Sequence, residues 1–282
     1  MNRIEQISQV SLIQSAMMSF VERQRELEDL IITVQQISSP TFAEENRASF
    51  IESRFVDLGL RDVAQDSMHN LFGLLPGKSP NVEKPVILSA HSDTVFPVET
   101  DLTVRREEHR LFGPGIGDNA AGVAGLLFLA QTLKMFGVQP EADLWFVSNV
   151  GEEGLGNLGG MRAVVQRFGH QATYIVVEGG SYGQIMHEAI GVHRLRVVIE
   201  TDGGHSWGNF GQPSAVHEIG HLICALDKMK GPSKPRTTFN VGLLEGGTTV
   251  NSIAGSASLL LDLRSEEESV LDRLVTKVHG II

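Results

Sequence analysis

The segment VILSAHSD (86–93) is an apolar run that ends on a histidine and, two residues later, an aspartate. Two further runs follow the same pattern: residues 144–150 precede a glycine and two glutamates, and residues 174–177 precede another glutamate. Short apolar runs bounded by polar residues and glycine are typical of buried strands. The three runs therefore predict three strands, each followed by an ionisable side chain.

Helical patterns separate these strands. An Ala-, Gly- and Leu-rich stretch predicts a helix over residues 120–136, and residues 158–168 predict another. The first part of the chain, to about Gly59, has apolar residues at helix-like spacing, and Pro40 interrupts it before a second helix over residues 43–58. Strands that alternate with helices indicate an α/β fold, with a mostly parallel sheet flanked by helices.

The pattern changes past Gly191. The remaining residues predict a strand, a helix, two strands and a helix, at 192–200, 213–229, 237–244, 256–263 and 266–278. This β-α-β-β-α order is that of an α+β, ferredoxin-like unit without its final strand. We therefore predict two domains, an α/β domain over residues 1–188 and a ferredoxin-like domain over residues 189–282.

The composition argues against several kinds of partner and location. The net charge is −11 and no basic run occurs, which argues against nucleic acid or an acidic membrane as a partner. The one cysteine, Cys224, rules out an internal disulfide and fits a reducing compartment. Residues 7–20 are broken by Ser, Gln and Glu, so they do not predict a signal peptide, and no apolar run is long enough to cross a bilayer. We expect a cytoplasmic protein.

Side chains of the types that bind metals follow the predicted strands or precede a helix. They are His91 and Asp93 after the first strand, Glu152 and Glu153 after the second, Glu178 after the third, and Asp118 at the glycine-rich turn GPGIG (113–117). Ligands of open α/β sheets bind beyond the carboxyl ends of the strands. Any one of these carboxylates alone is more typical of a helix cap or a surface residue. Their convergence on one edge of the sheet is what indicates a metal site.

The mixture of imidazole and carboxylates suits zinc chemistry. Zinc accepts both ligand types, and two zinc ions about 3.5–4 Å apart can share a bridging carboxylate and an activated water. Of two adjacent glutamates, one can bind metal while its neighbour acts as general base. An acidic residue two positions after a ligand histidine could orient the imidazole.

Four motifs together resemble those of a zinc exopeptidase and amidohydrolase family. They are AHSDTV (90–95), GDN (117–119), GEEG (151–154) and VEG (177–179). The family includes glutamate carboxypeptidase, acetylornithine deacetylase, succinyl-diaminopimelate desuccinylase and peptidase T-like tripeptidases. The resemblance runs in order from about residue 30 to the end of the chain. It implies a hydrolase that cleaves amide bonds of small peptides or N-acyl amino acids.

The resemblance also implies a role for each residue of the site. His91 and Glu178 would hold one zinc ion, Asp118 would bridge, and Glu153 would bind the second zinc, with cobalt or manganese as other possible metals. Glu152 would be the general base and Asp93 the residue that orients His91. As in relatives, the peptide bond between Asp118 and Asn119 is expected to be cis.

Members of the family carry an inserted ferredoxin-like lid domain that mediates homodimerisation. GGHS (203–206) resembles the lid motif in which the histidine, here His205, reaches the partner subunit's active site and polarises the scissile carbonyl. Asn251 and Arg264 match positions that bind substrate, and a guanidinium would suit a substrate carboxylate. Outside this pattern the same residues would be a turn histidine, a capping Asn and a surface Arg.

Two other motifs match the signatures of unrelated sites, but their surroundings in the sequence argue against those functions. His217 and His221 belong to a literal H-E-x-x-H, which is the signature of another zinc protease class. We interpret it as a coincidence, because both histidines lie opposite the predicted apolar stripe, which consists of Val216, Ile219, Ile223 and Leu226. GIGDNA (115–120) imitates a dinucleotide fingerprint, but residues 105–110 before it are charged and do not predict a strand.

The competing hypothesis is a non-catalytic paralogue that binds or dimerises on the same scaffold. Relatives place a last histidine, which completes the second zinc site, in a C-terminal segment that returns to the catalytic domain. In this sequence His279 comes too early to be that ligand, and residue 282 falls within the second helix of the lid. We expect the sequence to be a fragment of a longer enzyme and, taken alone, to have little activity.

Overall fold

The computed structural model describes residues 3–79, 84–108, 110–180 and 183–282. The chain divides into two compact units, which meet in sequence between Gln184 and Ile185. The sequence placed this division between residues 188 and 189. No helix among the described residues is long and apolar enough to cross a membrane.

Four helices form the N-terminal part of the first unit, where the sequence predicts helical structure to about Gly59. They are α1 (Arg3–Ser8), α2 (Ser11–Glu22), α3 (Gln24–Gln35) and α4 (Glu45–Asp57). The α4 helix turns Ile51 and Phe55 into the main core, where both are almost fully buried. Pro40 lies in the connection between α3 and α4, as its lack of a backbone N–H requires.

A five-stranded sheet forms the centre of the first unit. The strands of this unit are β1 (Arg61–Gln65), β2 (Leu71–Leu75), β3 (Val86–His91), β4 (Arg105–Glu107), β5 (Arg110–Phe112), β6 (Leu144–Asn149) and β7 (Thr173–Val176). The sheet order is β1-β2-β6-β3-β7. The β3 strand is parallel to β6 and β7, whereas β2 is antiparallel to both of its neighbours. Only β2 therefore runs against the other four, and the α/β architecture with a mostly parallel sheet is confirmed.

Two features of this unit differ from the sequence-based prediction. The strands β1 and β2 were not predicted, because the β2 sequence LFGLL is rich in residues with weak strand preference and is buried on both faces. The charged segment 105–110 does contain strand, since β4 and β5 form a short antiparallel hairpin. The outer positions of the hairpin are exposed, whereas Arg106 is half-buried and forms ion pairs with Glu28 and Asp29 of α3.

Helices cover both faces of the sheet, namely α5 (Ala121–Met135) on one face and α6 (Gly159–Phe168) on the other. Two neighbouring residues of β6 show that each face of the sheet packs against a different helix. Phe146 belongs to the main core with α4 and α5, whereas Val147 packs with Val164 of α6 in a separate cluster. Successive side chains of a strand point to opposite faces, so apolar cores lie on both sides of β6.

The second unit has the predicted β-α-β-β-α order with one additional short ribbon. Its elements are β8 (Gly191–Glu200), β9 (Gly204–His205), α7 (Ala215–Asp227), β10 (Thr237–Gly246), β11 (Ser252–Ile253), β12 (Ser256–Ser265) and α8 (Glu268–His279). The order β10-β12-β8 is antiparallel throughout, and β9 pairs with β11. Alternate residues of β12 are buried against the two helices, as in a sheet covered on one face: Ala257, Leu259, Leu261 and Leu263.

Candidate metal centre

The residues that follow three of the strands lie at one edge of the central sheet. His91 is the last residue of β3, while Glu152 and Glu153 follow β6, and Glu178 follows β7. Because β3, β6 and β7 are parallel, their carboxyl ends lie at the same edge. Asp118 reaches this edge from the turn that precedes α5.

The His91 side chain is buried among carboxylates. Its Nε2 atom lies 2.9 Å from Asp118 Oδ1 and 3.4 Å from Glu178 Oε1. Ligand atoms of His91, Asp118 and Glu153 all lie within 4.8 Å of one another. The buried Nε2 atom nevertheless has no hydrogen-bond partner of acceptable geometry. Buried polar atoms are normally satisfied, so this atom requires an explanation.

The second ring nitrogen of His91 supplies that explanation. Nδ1 lies 3.1 Å from the backbone oxygen of Asp93 and 3.5 Å from its Oδ1 atom, so Nδ1 carries the proton. In the neutral ring the lone pair is then on Nε2 and points toward Asp118 and Glu178. An imidazole whose far N–H is held by a backbone oxygen with a carboxylate close by, and whose lone pair lies among further carboxylates, is a metal-ligand arrangement. The residues present therefore fit a divalent cation.

The electrostatic surroundings of His91 agree with this fit. Burial alone would lower the pKa of His91, but the facing carboxylates of Asp93 and Glu178 outweigh it and raise the pKa to about 10. Burial likewise raises the pKa of Glu178, yet its interaction with His91 lowers it below the ordinary value. A site that attracts a proton so strongly offers the same negative potential to a cation.

Asp93 is fully buried, and its carboxylate contacts other groups besides His91. Its Oδ1 accepts the backbone N–H of Glu152 at 3.1 Å, and its Oδ2 accepts that of Glu153 at 3.0 Å. The Thr41 hydroxyl donates to the same Oδ2 atom at 2.9 Å. Burial raises the pKa of Asp93, but these donors and His91 outweigh it and lower the pKa below the ordinary value. The carboxylate thus fixes the loop of the two glutamates as well as the imidazole.

The two adjacent glutamates differ in position. Glu153 belongs to the cluster with His91 and Asp118, whereas Glu152 and Glu178 do not, although Glu178 lies 3.4 Å from His91 Nε2. Both side chains are partly buried. Burial is the main cause that raises the pKa of each carboxyl, and neighbouring carboxylates add to it, chiefly Glu178 for Glu152 and Asp118 for Glu153.

The turn that carries Asp118 is held in place by Asn119. The peptide bond between these two residues is cis, as the resemblance implies. Asn119 Nδ2 donates to the Val177 carbonyl at 2.8 Å, and its Oδ1 accepts the N–H of Gly122 at 3.1 Å. The turn is therefore tied to the end of β7, next to Glu178. A side chain at Gly179 would approach the Gly117 oxygen to 2.7 Å, so this contact requires glycine.

The predicted substrate residues lie at two ends of the second unit. His205 pairs with Ser252 across the β9–β11 ribbon, and the N–H of Ser206 donates to the Asn251 carbonyl at 3.0 Å. Arg264 lies near the other end of β12, where its Nε donates to Asp262 at 2.6 Å. It lines a cavity of about 230 Å³ together with Ile190, Arg236, Thr238 and Glu266.

The distance between these ends follows from the strand register. The ribbon adjoins the start of β12, where Ser256 pairs with Glu200, and Arg264 lies eight residues further along. At about 3.3 Å per residue the separation is roughly 26 Å. Within one copy of the unit, His205 and Asn251 are neighbours, whereas Arg264 is remote from both.

The H-E-x-x-H histidines lie on the exposed face of α7. His217 and His221 are both exposed, and His221 contacts only Glu218 of the motif, at 3.6 Å. Among the described residues, the only group of three or more clustered metal-binding side chains is the one around His91. Ile219 and Leu226 of the predicted stripe are buried, but Val216 is 39% exposed, which corrects that part of the stripe. Ala215 and Leu222 complete the buried face instead.

Family models match both units of the chain. The model of Peptidase family M28 matches residues 70–202, which contain the ligand cluster. The model of a peptidase dimerisation domain matches residues 188–282. These two matches, together with relatives named as a desuccinylase and a carboxypeptidase, support the zinc exopeptidase and amidohydrolase family. The resemblance stated from the sequence motifs is thereby confirmed.

Individual relatives are distant but cover most of the chain. An uncharacterized protein YqjE of Bacillus subtilis is 25% identical over 92% of this chain and 71% of its own length. A putative succinyl-diaminopimelate desuccinylase DapE of Mycobacterium tuberculosis is 29% identical over 71% of this chain. Carboxypeptidase G2 of a Pseudomonas strain is 26% identical over 77%. The chain spans only 58% and 53% of the lengths of the latter two.

Solved structures agree on the fold. A tripeptidase from Staphylococcus aureus has a TM-score of 0.71 at 23% identity, covering 91% of this chain and 70% of its own. Aminopeptidase PepT from Bacillus cereus has a TM-score of 0.68 at 23% identity, covering 92% and 71%. At this identity the likeness concerns the fold alone, and the α/β unit with a ferredoxin-like unit is confirmed by it.

Sequence reasoning missed three residues that organise the centre. Thr41 donates to Asp93, Asn119 holds the turn of Asp118, and Arg47 donates to the Ser92 carbonyl between His91 and Asp93. Asn119 lies inside a quoted motif and could have been singled out as a turn residue. Thr41 and Arg47 lie far away in sequence and carry no motif of their own.

Proposed function

We propose that the protein is a metal-dependent hydrolase that cleaves amide bonds of small peptides or N-acyl amino acids. The observation that carries the proposal is the buried, unpartnered Nε2 atom of His91, which faces Asp118 and Glu178 while Asp93 occupies the other ring nitrogen. The match to a peptidase family model, and the relatives named as a desuccinylase and a carboxypeptidase, support the reaction class.

The ligand set suits two zinc ions. His91 and Glu178 would hold one ion, Asp118 would be shared, and Glu153 would hold the other, because zinc accepts both imidazole and carboxylate. Cobalt or manganese could occupy the same donors. When bound, the metal would supply Lewis-acid activation of the hydrolytic water and of the amide carbonyl.

Glu152 is the proposed general base. It lies beside the ligand cluster without belonging to it, and Asp93 holds its backbone N–H in place. A carboxylate there can take a proton from the attacking water and return it to the leaving amine, which is the work of a general acid–base residue. Asp93 would keep the His91 ring in the tautomer that leaves Nε2 free.

Residues of the second unit are proposed to complete the site across a homodimer. The matched dimerisation domain supports a dimer. His205 would polarise the scissile carbonyl in the partner subunit's active site, and Asn251 and Arg264 would bind substrate. Arg264 lies roughly 26 Å along β12 from the strand end that the ribbon of His205 adjoins, so different copies would have to supply the two residues to one small substrate. The single exposed cysteine is compatible with a cytoplasmic location.

Two matched variants test the proposal. Glu152→Gln should keep its metal content and lose several orders of magnitude in kcat, because the base is gone but the ligands remain. Glu153→Ala should instead lose metal, as measured by elemental analysis after dialysis. Activity is measured on the whole protein with a panel of dipeptides, tripeptides and N-acyl amino acids, and chelation with zinc readdition is the control for metal dependence.

Several outcomes would contradict the proposal. Full activity of the metal-free protein would exclude a metal-dependent reaction. Equal metal loss in both variants would show that the roles of the two glutamates are wrongly assigned. If the whole protein held stoichiometric metal but turned over no substrate in the panel, the non-catalytic binding protein would be favoured.

A further inference from the structure

Arg47 is a buried cation that lies behind the metal centre. It belongs to α4, and only 2% of it is exposed. Its Nε and Nη2 atoms donate to the Ile37 carbonyl at 3.0 and 2.6 Å, and Nη1 donates to the Ser92 carbonyl at 2.7 Å. A longer bond of 3.3 Å joins Nη2 to the Gln35 carbonyl. The guanidinium is thus satisfied by backbone oxygens.

Such an arrangement is unfavourable for stability alone. Burial lowers the pKa of Arg47 to about 10, and the nearby Asp93 carboxylate only partly offsets this effect. Within the described part of the chain no carboxylate oxygen lies within 4 Å of its nitrogens, so neutral carbonyls carry the solvation of the charge. A well-packed apolar side chain in place of a buried charge is often neutral or stabilising. The position of the guanidinium therefore calls for a function.

Arg47 binds the carbonyl of Ser92, which lies between His91 and Asp93 in the chain. Ser92 separates His91, the proposed ligand, from Asp93, which orients it. The same short segment is held from two other sides: the N–H of Ser92 donates to Asn149 at 2.8 Å, and that of Thr94 donates to Ser39 at 2.9 Å. Arg47 joins these supports, because it also binds the segment that leads from α3 to Ser39.

We propose that Arg47 is a positioning residue of the metal centre, which fixes the Ser92 carbonyl and thereby the directions of His91 and Asp93. The inference rests on the proposed function, since it assigns Arg47 a role toward the same metal. It does not require Arg47 to touch substrate or metal.

The test uses Arg47→Met and Arg47→Lys in the full chain. Lysine keeps the charge but lacks the planar fork, so it can reach fewer of the carbonyls. The matched control is Phe55→Leu, which weakens the packing of the same helix in the main core without contacting residues 92–94. Cobalt affinity is measured by competition with a chromophoric chelator, and the visible spectrum of the cobalt-loaded protein reports the ligand geometry. The Tm of each metal-free variant gives the purely structural effect.

We expect Arg47→Met to bind cobalt at least about tenfold more weakly than the wild type, with Arg47→Lys intermediate and an altered spectrum for both, because loss of outer-shell partners typically has effects of this size. Phe55→Leu should keep the wild-type affinity and spectrum at a comparable loss of Tm. Arg47 variants whose affinity and spectrum change no more than those of the control would overturn the inference and leave the proposed function intact. A wild-type protein that binds no cobalt would refute both.

Discussion

The Asp93 side chain has two roles in the structure: it lies beside His91, and it holds the loop of Glu152 and Glu153. Replacement of Asp93 by asparagine tests both roles. Asparagine has the same shape, but one carboxylate oxygen becomes an NH₂ group that cannot accept a hydrogen bond. The N–H of Glu152 lies on one oxygen and that of Glu153 on the other. In either orientation of the amide, one of these two backbone N–H groups therefore loses its acceptor.

The expected loss follows from these contacts. Leaving a partly buried N–H without an acceptor costs about 1–3 kcal/mol. The surviving bond changes from a charged to a neutral acceptor, which removes about 1 kcal/mol more. The free energy of unfolding of the metal-free protein should thus fall by about 2–4 kcal/mol. Metal affinity should fall by about 10- to 100-fold, since the imidazole loses the carboxylate that orients it.

Urea unfolding of the metal-free protein measures the first quantity, and competition with a chelator measures the second. Asp143→Asn is the matched control, because the Asp143 carboxylate accepts the Gly77 N–H at 2.9 Å just before the opposite end of β6. It should lose some stability and no metal affinity. If Asp93→Asn bound metal as tightly as the wild type, the Asp93 carboxylate would not be needed to position His91, and the backbone oxygen at Nδ1 would suffice.

Three further predictions concern the second unit. Alanine at both His217 and His221 should leave metal content and hydrolysis unchanged, and a loss of either would show that the exposed pair is a functional site. Hydrogen bonds from two arginines outweigh burial and lower the pKa of Asp262, so its contribution should be present at neutral pH and vanish as the pH falls through that lowered pKa. Urea unfolding of Asp262→Asn should therefore differ from the wild type by up to about 1 kcal/mol at pH 7 and converge with it in acid, whereas a constant difference would contradict the assignment. Mixing inactive His205→Ala with inactive Glu152→Gln subunits should restore part of the activity, and an active monomer would rule out a role for His205 in trans.

The parts of the fold that could be predicted are those whose signal is local. The strands β3, β6 and β7 are apolar runs with polar residues immediately after them, so both the strand and its end can be located from the sequence. The α5 helix is similarly clear, since its fifteen residues are rich in Ala and Leu and contain no proline. Strand β2 is different, because its five buried residues LFGLL have neither alternation nor β-branched side chains. Its antiparallel pairing with β6 depends on residues about 70 positions away, and that partnership leaves no mark in the local pattern.

The candidate site likewise has a part that could be predicted from the sequence and a part that could not. Metals accept few side-chain types, so His91, Asp118 and Glu153 could be proposed from residue identity and position at strand ends, and the structure brings them together. The contacts that hold these ligands in place are made largely by backbone groups, which do not distinguish one residue type from another. The partners of Asp93 include two backbone N–H groups, and those of Arg47 are backbone carbonyls. Every residue except proline can supply both groups, so no residue type marks such a contact in a sequence. An aspartate two positions after a ligand histidine therefore predicts a bond to that histidine, while its hold on the loop of the two glutamates becomes evident only when β3 and β6 lie side by side.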